Sequence, residues 1–419
     1  DFSLSNIPFG IINSKNNPSE KRPAIAIGNH VLDLKAFSKA NGFGGLPSLK
    51  DPLAIFSQPT LNAFAALGQQ THNAVRTYIQ DIFSESTSNP QILKDNASLQ
   101  EEALLPKHET KTHLPMQIGD YTDFYAGKNH AFNLHVPLPH QRPATKLHAP
   151  PRRLPRPRLQ RRHNRYLDPA PTRTNPPRQD RLPAPPHPLP RPQPRHRTRA
   201  RLLPLRLHAL GTPIPIGHAA EQAVFGFVLL NDWSARDIQT WEYVPLGPFN
   251  AKNFATSVSA WVVLPSALEG FRVEKLQSGT EVLPYLREER GDSVYDIQLE
   301  VDLTTPEGDT TNVSKVSGRN LLWSFPQMIA HHSVGGCPMN VGDLLGSGTI
   351  SGSSERGGDL GSLLEACQGG KKEIMLKGMD VRKFLKDGDT ITIRGACGED
   401  GARVGFGECM GTIESAIQL

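Results

Sequence analysis

The sequence predicts a mainly β protein in two unequal parts, with an anomalous basic segment between them. Three observations carry this. Short apolar or alternating runs, separated by Gly and Pro, recur from residue 211 onward. The first 105 residues show a strand–turn–strand pattern followed by one helical period. From 135 to 210 glycine vanishes, while 19 of the chain's 37 prolines accumulate.

At 419 residues the chain is long enough for two or three domains and a large core. Residues 1–105 read as a small domain. RPAIAIGNHVLDL, starting at Arg22, predicts a hairpin that turns at GNH. LNAFAALGQQTHNAVRTYIQDIF, starting at Leu61, spaces its apolar residues at three and four and predicts one amphipathic helix. The polar stretch SESTSNPQILKDNASLQEE after it predicts a linker. Residues 106–134 and 211–419 make up the second, catalytic-size part. Its strands are AVFGFVLLNDW, SAWVVLP, YDIQLEVDLTT, DTITIRG and VGFGECMGTI, and NLLWSFPQMIAHHS is its best helix candidate.

Several classes lose support at this point. No apolar run approaches the roughly 18–20 residues that span a bilayer, and DFSLSNIPFG lacks the regions of a secretory signal. The four cysteines, Cys337, Cys367, Cys397 and Cys409, show no CxxC spacing. Together these fit a reduced, cytoplasmic protein without a membrane partner. Neither GxGxxG after a strand nor GxxxxGK[ST] occurs, so a nucleotide cofactor has no support.

The net charge of +5 is a misleading average. Residues 135–210 carry 18 Lys and Arg against two acids, Asp168 and Asp180, so the rest of the chain is net −11. A polyproline linker or a nucleic-acid-binding arm would be the ordinary readings, but a loop this long inside a compact domain argues against both. Composition is more telling: Pro, Arg, Leu, His and Gln make up 59 of these 76 residues. Their codons all can begin with C. A gene with C at most wobble positions, read one base early, yields this composition, and each residue's second base then reports the first base of the true codon.

The motifs DYTDFYAGKNHAFN at 120–133, NDWSARDIQTWEYVPLGPFNAKNF at 231–254, GDLLGSGTISG at 342–352 and GSLLEAC at 361–367 resemble the fumarylacetoacetate hydrolase family. The likeness covers 1–134 and 211–419. It implies a C-terminal mixed β-sandwich roll, an SH3-like β-barrel at the N-terminus, a homodimer, and hydrolytic C–C cleavage of fumarylacetoacetate in tyrosine and phenylalanine catabolism. The family carries LPVGYHGRASSVV between these motifs, and PPRRLPRPRLQRR at 150–162 implies matching first bases throughout. PQPRHRTRARLL at 192–203 likewise matches the family's RKLDIELELAFF run. Residues 135–210 thus read as an out-of-frame translation.

The resemblance assigns residues to roles. Asp123 and Asp232 match ligands of a divalent cation, Mg²⁺ or Ca²⁺, with Lys252 and Thr256 associated with the metal site. Two further ligands are glutamates in the family, where this chain has Arg197 and Arg199; cations there oppose metal binding. His130 matches the base that activates water and Glu365 the carboxylate that orients it. Arg236, Gln239 and Lys252 match the donors to the developing oxyanion. Tyr125, Gln239, Tyr243 and Thr349 match substrate-contacting positions. The resemblance thus implies an enzyme whose chain, as written, lacks two metal ligands and is inactive.

Taken alone, each residue has a plainer reading. His130 in GKNHAF would be a surface histidine, Asp123 and Asp232 turn residues or helix caps, and Lys252 a solvated cation. Arg236, Asp237 and Glu242 would be a salt-bridged surface, and Glu365 would lie on the polar face of its element. The adjacent pair His331 and His332 diverges on a helix and reads as structural. A different class remains: an inactive scaffold whose basic arm binds RNA or another polyanion. Tyr166 is the segment's sole aromatic residue, so base stacking has little support, and no nucleic-acid partner is expected.

Overall fold

The computed structural model describes residues 2–135, 153–154, 194–195, 198–204, 210–245, 247–353 and 358–416. Most of the Arg/Pro segment, Arg197 and Tyr166 included, lies outside the described residues.

The expected hairpin forms. Strand Asn17–Ile27 pairs antiparallel with His30–Asp33, Ile27 opposite His30. Gly28 supplies the left-handed φ of +54° at the turn. Side chains alternate across this sheet as a period of two requires. Ile25 joins Phe9, Ile11 and Leu32 on one side, while Ala24 and Ala26 pack with Phe2 and Trp261 on the other. The sheet runs Trp261–Val262, Phe9–Ser14, Asn17–Ile27, His30–Asp33, Leu104–Pro106, with Thr110–His113 also pairing Phe9–Ser14. Phe9 lies opposite Val262, so the C-terminal part lends this sheet a strand.

Two expectations in this region need correction. The single helix from Leu61 is two, Asn62–Ala65 and Gln69–Ile82, separated at Gly68, whose φ of +88° is incompatible with a continuous helix. Val75, Tyr78, Ile79 and Ile82 form the buried stripe of the second. The polar stretch that follows is no free linker. Leu93, Leu99 and Ala103 are buried in the same core, and Asn96 caps helix Ala97–Ala103 by accepting from Leu99 N–H at 3.1 Å. Isolated apolar residues among polar ones leave no periodic signal, which hid this packing.

The C-terminal part is built on two sheets. The larger runs Thr256–Val258, Val224–Asp232, Thr198–Pro204, Leu344–Gly346, Tyr121–Phe124, Arg153–Leu154. The other is a four-stranded antiparallel sheet ordered Thr310–Ser317, Gln298–Thr304, Thr390–Cys397, Val404–Thr412. Strand Val224–Asp232 is buried throughout and explains its unbroken apolar run. Phe227 and Leu229 join the core with Leu299, Val301, Ile391 and Ile393, whereas Phe225, Val228 and Leu230 join the N-terminal core. The expected helix is Phe325–Ser333, closed by a capping box between Ser324 and Gln327.

The chain is therefore a mixed, sheet-rich structure with helix and strand in roughly equal measure rather than mainly β. Many of its helices have only four to seven residues, too short for a periodic signal to emerge.

Candidate active site

His130 lies in helix Lys128–His135, fully buried, and its Nδ1 is 2.7 Å from Oε2 of Glu365. Glu365 sits in the one-turn helix Leu363–Ala366, whose N-cap is Ser362. The carboxylate also accepts from Asn133 Nδ2 at 3.0 Å, Ser351 Oγ at 2.8 Å and Ser362 Oγ at 2.6 Å. Burial pushes the Glu365 carboxyl up, but the His130 charge and the hydrogen bonds from His130, Ser362 and Asn133 outweigh it and hold it below its ordinary value. Tyr125 meets the imidazole edge-on, with ring centres 5.3 Å apart.

Two glycines bring the flanking segments together. Gly348, at φ +79°, passes so close to Phe124 that a Cβ would lie 2.2 Å from the Phe124 carbonyl oxygen. At Gly127 a Cβ would lie 2.4 Å from the Thr349 carbonyl oxygen. Ala126 N–H donates to Ser347 O at 3.0 Å. Thr349 is thereby buried against the chain that carries His130, and Asp123, buried on strand Tyr121–Phe124, is in register with Gly346.

Of the remaining predicted residues, Asp232 and Thr256 lie in the same sheet across strand Thr198–Pro204, while Arg236, Gln239 and Lys252 lie on short helices that follow Asp232. Asp232, at the end of Val224–Asp232, is in register with Thr256. Its carboxylate pairs with the Lys252 ammonium, both groups being buried. Arg236 and Gln239 share the helix Arg236–Glu242, where Arg236 Nη1 donates to Gln239 Oε1 at 2.5 Å. Gln239 is buried; Tyr243 is 58% exposed. Glu242 is not the surface ion-pair partner suggested by its neighbours. Its carboxylate accepts from the backbone N–H groups of Phe249 at 2.7 Å, Asn250 at 3.0 Å and Ala251 at 2.7 Å, capping the short helix that carries Lys252.

A divalent cation would need several oxygen ligands here. Asp123 and Asp232 are present and buried, but Asp232 is engaged by Lys252. Among the described residues no three His, Cys, Asp or Glu side chains gather as a cation site. The positions matching the two glutamates carry Arg197 and Arg199, and Arg199 sits opposite Leu230 in the strand next to Asp232. With Asp232 paired to Lys252 and no such cluster among them, the described residues by themselves do not fit a resident Mg²⁺ or Ca²⁺, which takes most of its ligands as oxygens.

Three site residues escaped the sequence reading: Asn133, Ser351 and Ser362. Ser362 had a visible signal, since Ser-x-x-Glu at 362–365 is the capping-box pattern. Here the serine does cap, accepting from Glu365 N–H at 3.4 Å, but the glutamate side chain turns to His130 instead of back to the cap. His331 and His332 do not converge on one ligand. His331 Nδ1 meets Tyr285 Oη at 2.8 Å, and His332 Nε2 lies 3.5 Å from Cys337 Sγ.

A buried imidazole backed by a carboxylate can activate water, and a buried ammonium and an Arg–Gln pair can stabilise an oxyanion, the chemistry of a hydrolase. Known proteins bear on which one. Residues 5–115 match the family described as fumarylacetoacetase N-terminal, and residues 212–414 match fumarylacetoacetate (FAA) hydrolase C-terminal. The interval between the two matches contains the whole Arg/Pro segment. The chain is 50% identical over 444 aligned residues to the fumarylacetoacetase of Emericella nidulans, covering 100% of this chain and 97% of the relative. It is 36% identical over 444 aligned residues to that of Homo sapiens, again covering 100% and 97%. Among solved structures, a putative HpcE protein from Mycobacterium smegmatis shares the fold, with a TM-score of 0.53 at 15% identity, over 97% of this chain and 99% of that one. The chain belongs to the fumarylacetoacetase family, whose members are hydrolases acting on C–C bonds.

Proposed function

We propose that this chain carries the machinery for hydrolysing 4-fumarylacetoacetate to fumarate and acetoacetate, the closing step of tyrosine and phenylalanine catabolism. The observation that carries it is the buried His130–Glu365 pair, 2.7 Å apart, in a chain similar from end to end to fumarylacetoacetases. His130 takes a proton from water through the ring nitrogen that does not face Glu365, and the Glu365 carboxylate steadies the imidazolium. The water oxygen attacks the carbonyl carbon beside the bond to be cleaved. Arg236, Gln239 and Lys252 donate to the resulting oxyanion. As the C–C bond breaks, its electron pair leaves with the acetoacetate carbon, which takes up one proton. Tyr125, Tyr243 and Thr349 contact the substrate.

The chain as written is proposed to be inactive, because two carboxylates of the cation site are replaced by Arg197 and Arg199. Binding of Mg²⁺ or Ca²⁺ belongs to a frame-restored chain, with LPVGYHGRASSVV at 150–162 and RKLDIELELAFF at 192–203. Residues 1–105 as an SH3-like barrel, 106–134 with 211–419 as the catalytic domain, a homodimer and a cytoplasmic location complete the proposal. They rest on the resemblance. Among the described residues no helix is long and apolar enough to cross a membrane.

The test is to assay fumarylacetoacetate hydrolysis by both chains while titrating Mg²⁺ and Ca²⁺. Activity only in the restored chain, dependent on added cation, is expected. Comparable rates in both would overturn the inactive reading; none in either would remove the substrate assignment.

A further inference from the structure

Glu365 is unusually well supplied with donors for a buried carboxylate. Oε1 accepts from Ser351 Oγ at 2.8 Å and Asn133 Nδ2 at 3.0 Å; Oε2 accepts from Ser362 Oγ at 2.6 Å and lies 2.7 Å from His130 Nδ1. Backbone N–H groups orient both hydroxyls. Gly361 N–H donates to Ser351 Oγ at 3.0 Å, and Glu365 N–H to Ser362 Oγ at 3.4 Å. An N–H can only donate, so each hydroxyl has a lone pair engaged and directs its own proton at the carboxylate. Asn129 Nδ2 donates to Ser351 O at 3.1 Å, fastening the Ser351 turn to the start of the His130 helix.

We propose that Ser351, Ser362 and Asn133 are positioning residues that keep Glu365 ionised and thereby fix the His130 proton on Nδ1. A neutral carboxylic acid would need an acceptor for its own O–H, but the groups around Glu365 are turned toward it as donors. The carboxylate, which can only accept, then requires a proton on the imidazole nitrogen facing it. Nε2 becomes the basic nitrogen, which is the form needed to take a proton from water. The inference deepens the proposed function and rests on it for its catalytic meaning. Among the described residues, Tyr125 stands edge-on to the ring and Lys128 is on the same helix.

The test is NMR on the full chain labelled with ¹³C-glutamate and ¹⁵N-histidine, without substrate. The Glu365 and His130 signals are identified by their loss in Glu365→Gln and His130→Gln. In the native chain the Glu365 carboxyl carbon is expected to stay at its carboxylate shift below the ordinary Glu midpoint of about 4.3, with His130 protonated on Nδ1 at neutral pH. In a Ser351→Ala/Ser362→Ala chain the Glu365 midpoint should rise by about one pH unit or more, and Thr at both positions should restore it. An unmoved midpoint in a chain that still unfolds cooperatively would overturn the proposal. Should the double variant fail to fold, Asn133→Ala, at a half-buried position, removes one donor and should give a smaller rise; no rise there also overturns it. Because the readout needs no turnover, it is separable from failure of the substrate assignment.

Discussion

Nδ1 of His130 lies 2.7 Å from Oε2 of Glu365, with both side chains shut off from water and 235 positions apart in the chain. Replacing Glu365 by Gln keeps the shape but offers an amide that can donate toward Nδ1. The imidazole can then turn its lone pair to the amide and move its proton to Nε2. In a frame-restored chain, Glu365→Gln is expected to lower kcat by roughly 10²–10⁴-fold with KM little changed. A loss below about tenfold would mean that the carboxylate does not set the base.

Lys252 and Asp232 form a buried ion pair. Lys252→Met removes the ammonium and leaves the carboxylate buried, at an expected cost of about 3–5 kcal/mol. Lys252→Met/Asp232→Leu should recover most of that loss, because the pair's own desolvation is also relieved. Urea midpoints of the two variants provide the check, and equal losses would deny the pairing.

Glu242 closes the segment ahead of Lys252 by accepting from three successive backbone N–H groups. Glu242→Ala leaves those donors to water and should cost about 1–2 kcal/mol. Faster amide exchange at Phe249, Asn250 and Ala251 is the expected signature, and unchanged exchange would contradict it.

His72 is buried between Phe64 and Phe225, with Nε2 2.9 Å from Phe64 O. Burial pulls its pKa down from 6.5 to about 4, opposed by hydrogen bonding to the Phe64 and Ala65 backbone. The unfolded chain therefore binds this proton first. The stabilising contribution is complete above about pH 6.5 and is lost as pH falls toward 4, amounting to about 3 kcal/mol. His72→Leu should flatten this part of the stability–pH curve. Urea unfolding at pH 7 and 4.5 compares the two chains, and parallel curves would refute the assignment.

Gly127 has no room for a methyl group, since a Cβ would meet the Thr349 carbonyl oxygen at 2.4 Å. The obstacle is backbone, so the two segments must part. Gly127→Ala is expected to cost about 1–3 kcal/mol and, in the frame-restored chain, to reduce activity beyond what the stability loss explains. Wild-type activity in that variant would separate Thr349 from the site.

Where one pattern dominated a whole element, it was legible. The unbroken run AVFGFVLLND became a strand buried on both faces, GNH turned a hairpin, and NLLWSFPQMIAHHS held the helix Phe325–Ser333. The break at Gly68 and the burial of Leu93 and Leu99 were missed because an isolated residue carries no period. Motif resemblance named His130, Glu365, Asp232 and Lys252 as members of one site. It said nothing of Ser351, Asn133 or Glu242, whose roles depend on which backbone happens to pass beside them.

The sequence by itself determined the chemistry available to this protein: an imidazole, carboxylates, an ammonium, and arginines at 197 and 199 where cation ligands are expected. It also determined the local elements, because propensity and period act over a few residues. Only the tertiary structure decided which groups meet. Segments 120–133 and 342–365 pass so close that a Cβ at Gly127 or Gly348 would lie under 3 Å from the other backbone, and packing of that kind excludes water and sets the donors around Glu365. The groups around Glu365 come from between 3 and 235 positions away, and no local pattern encodes how they combine.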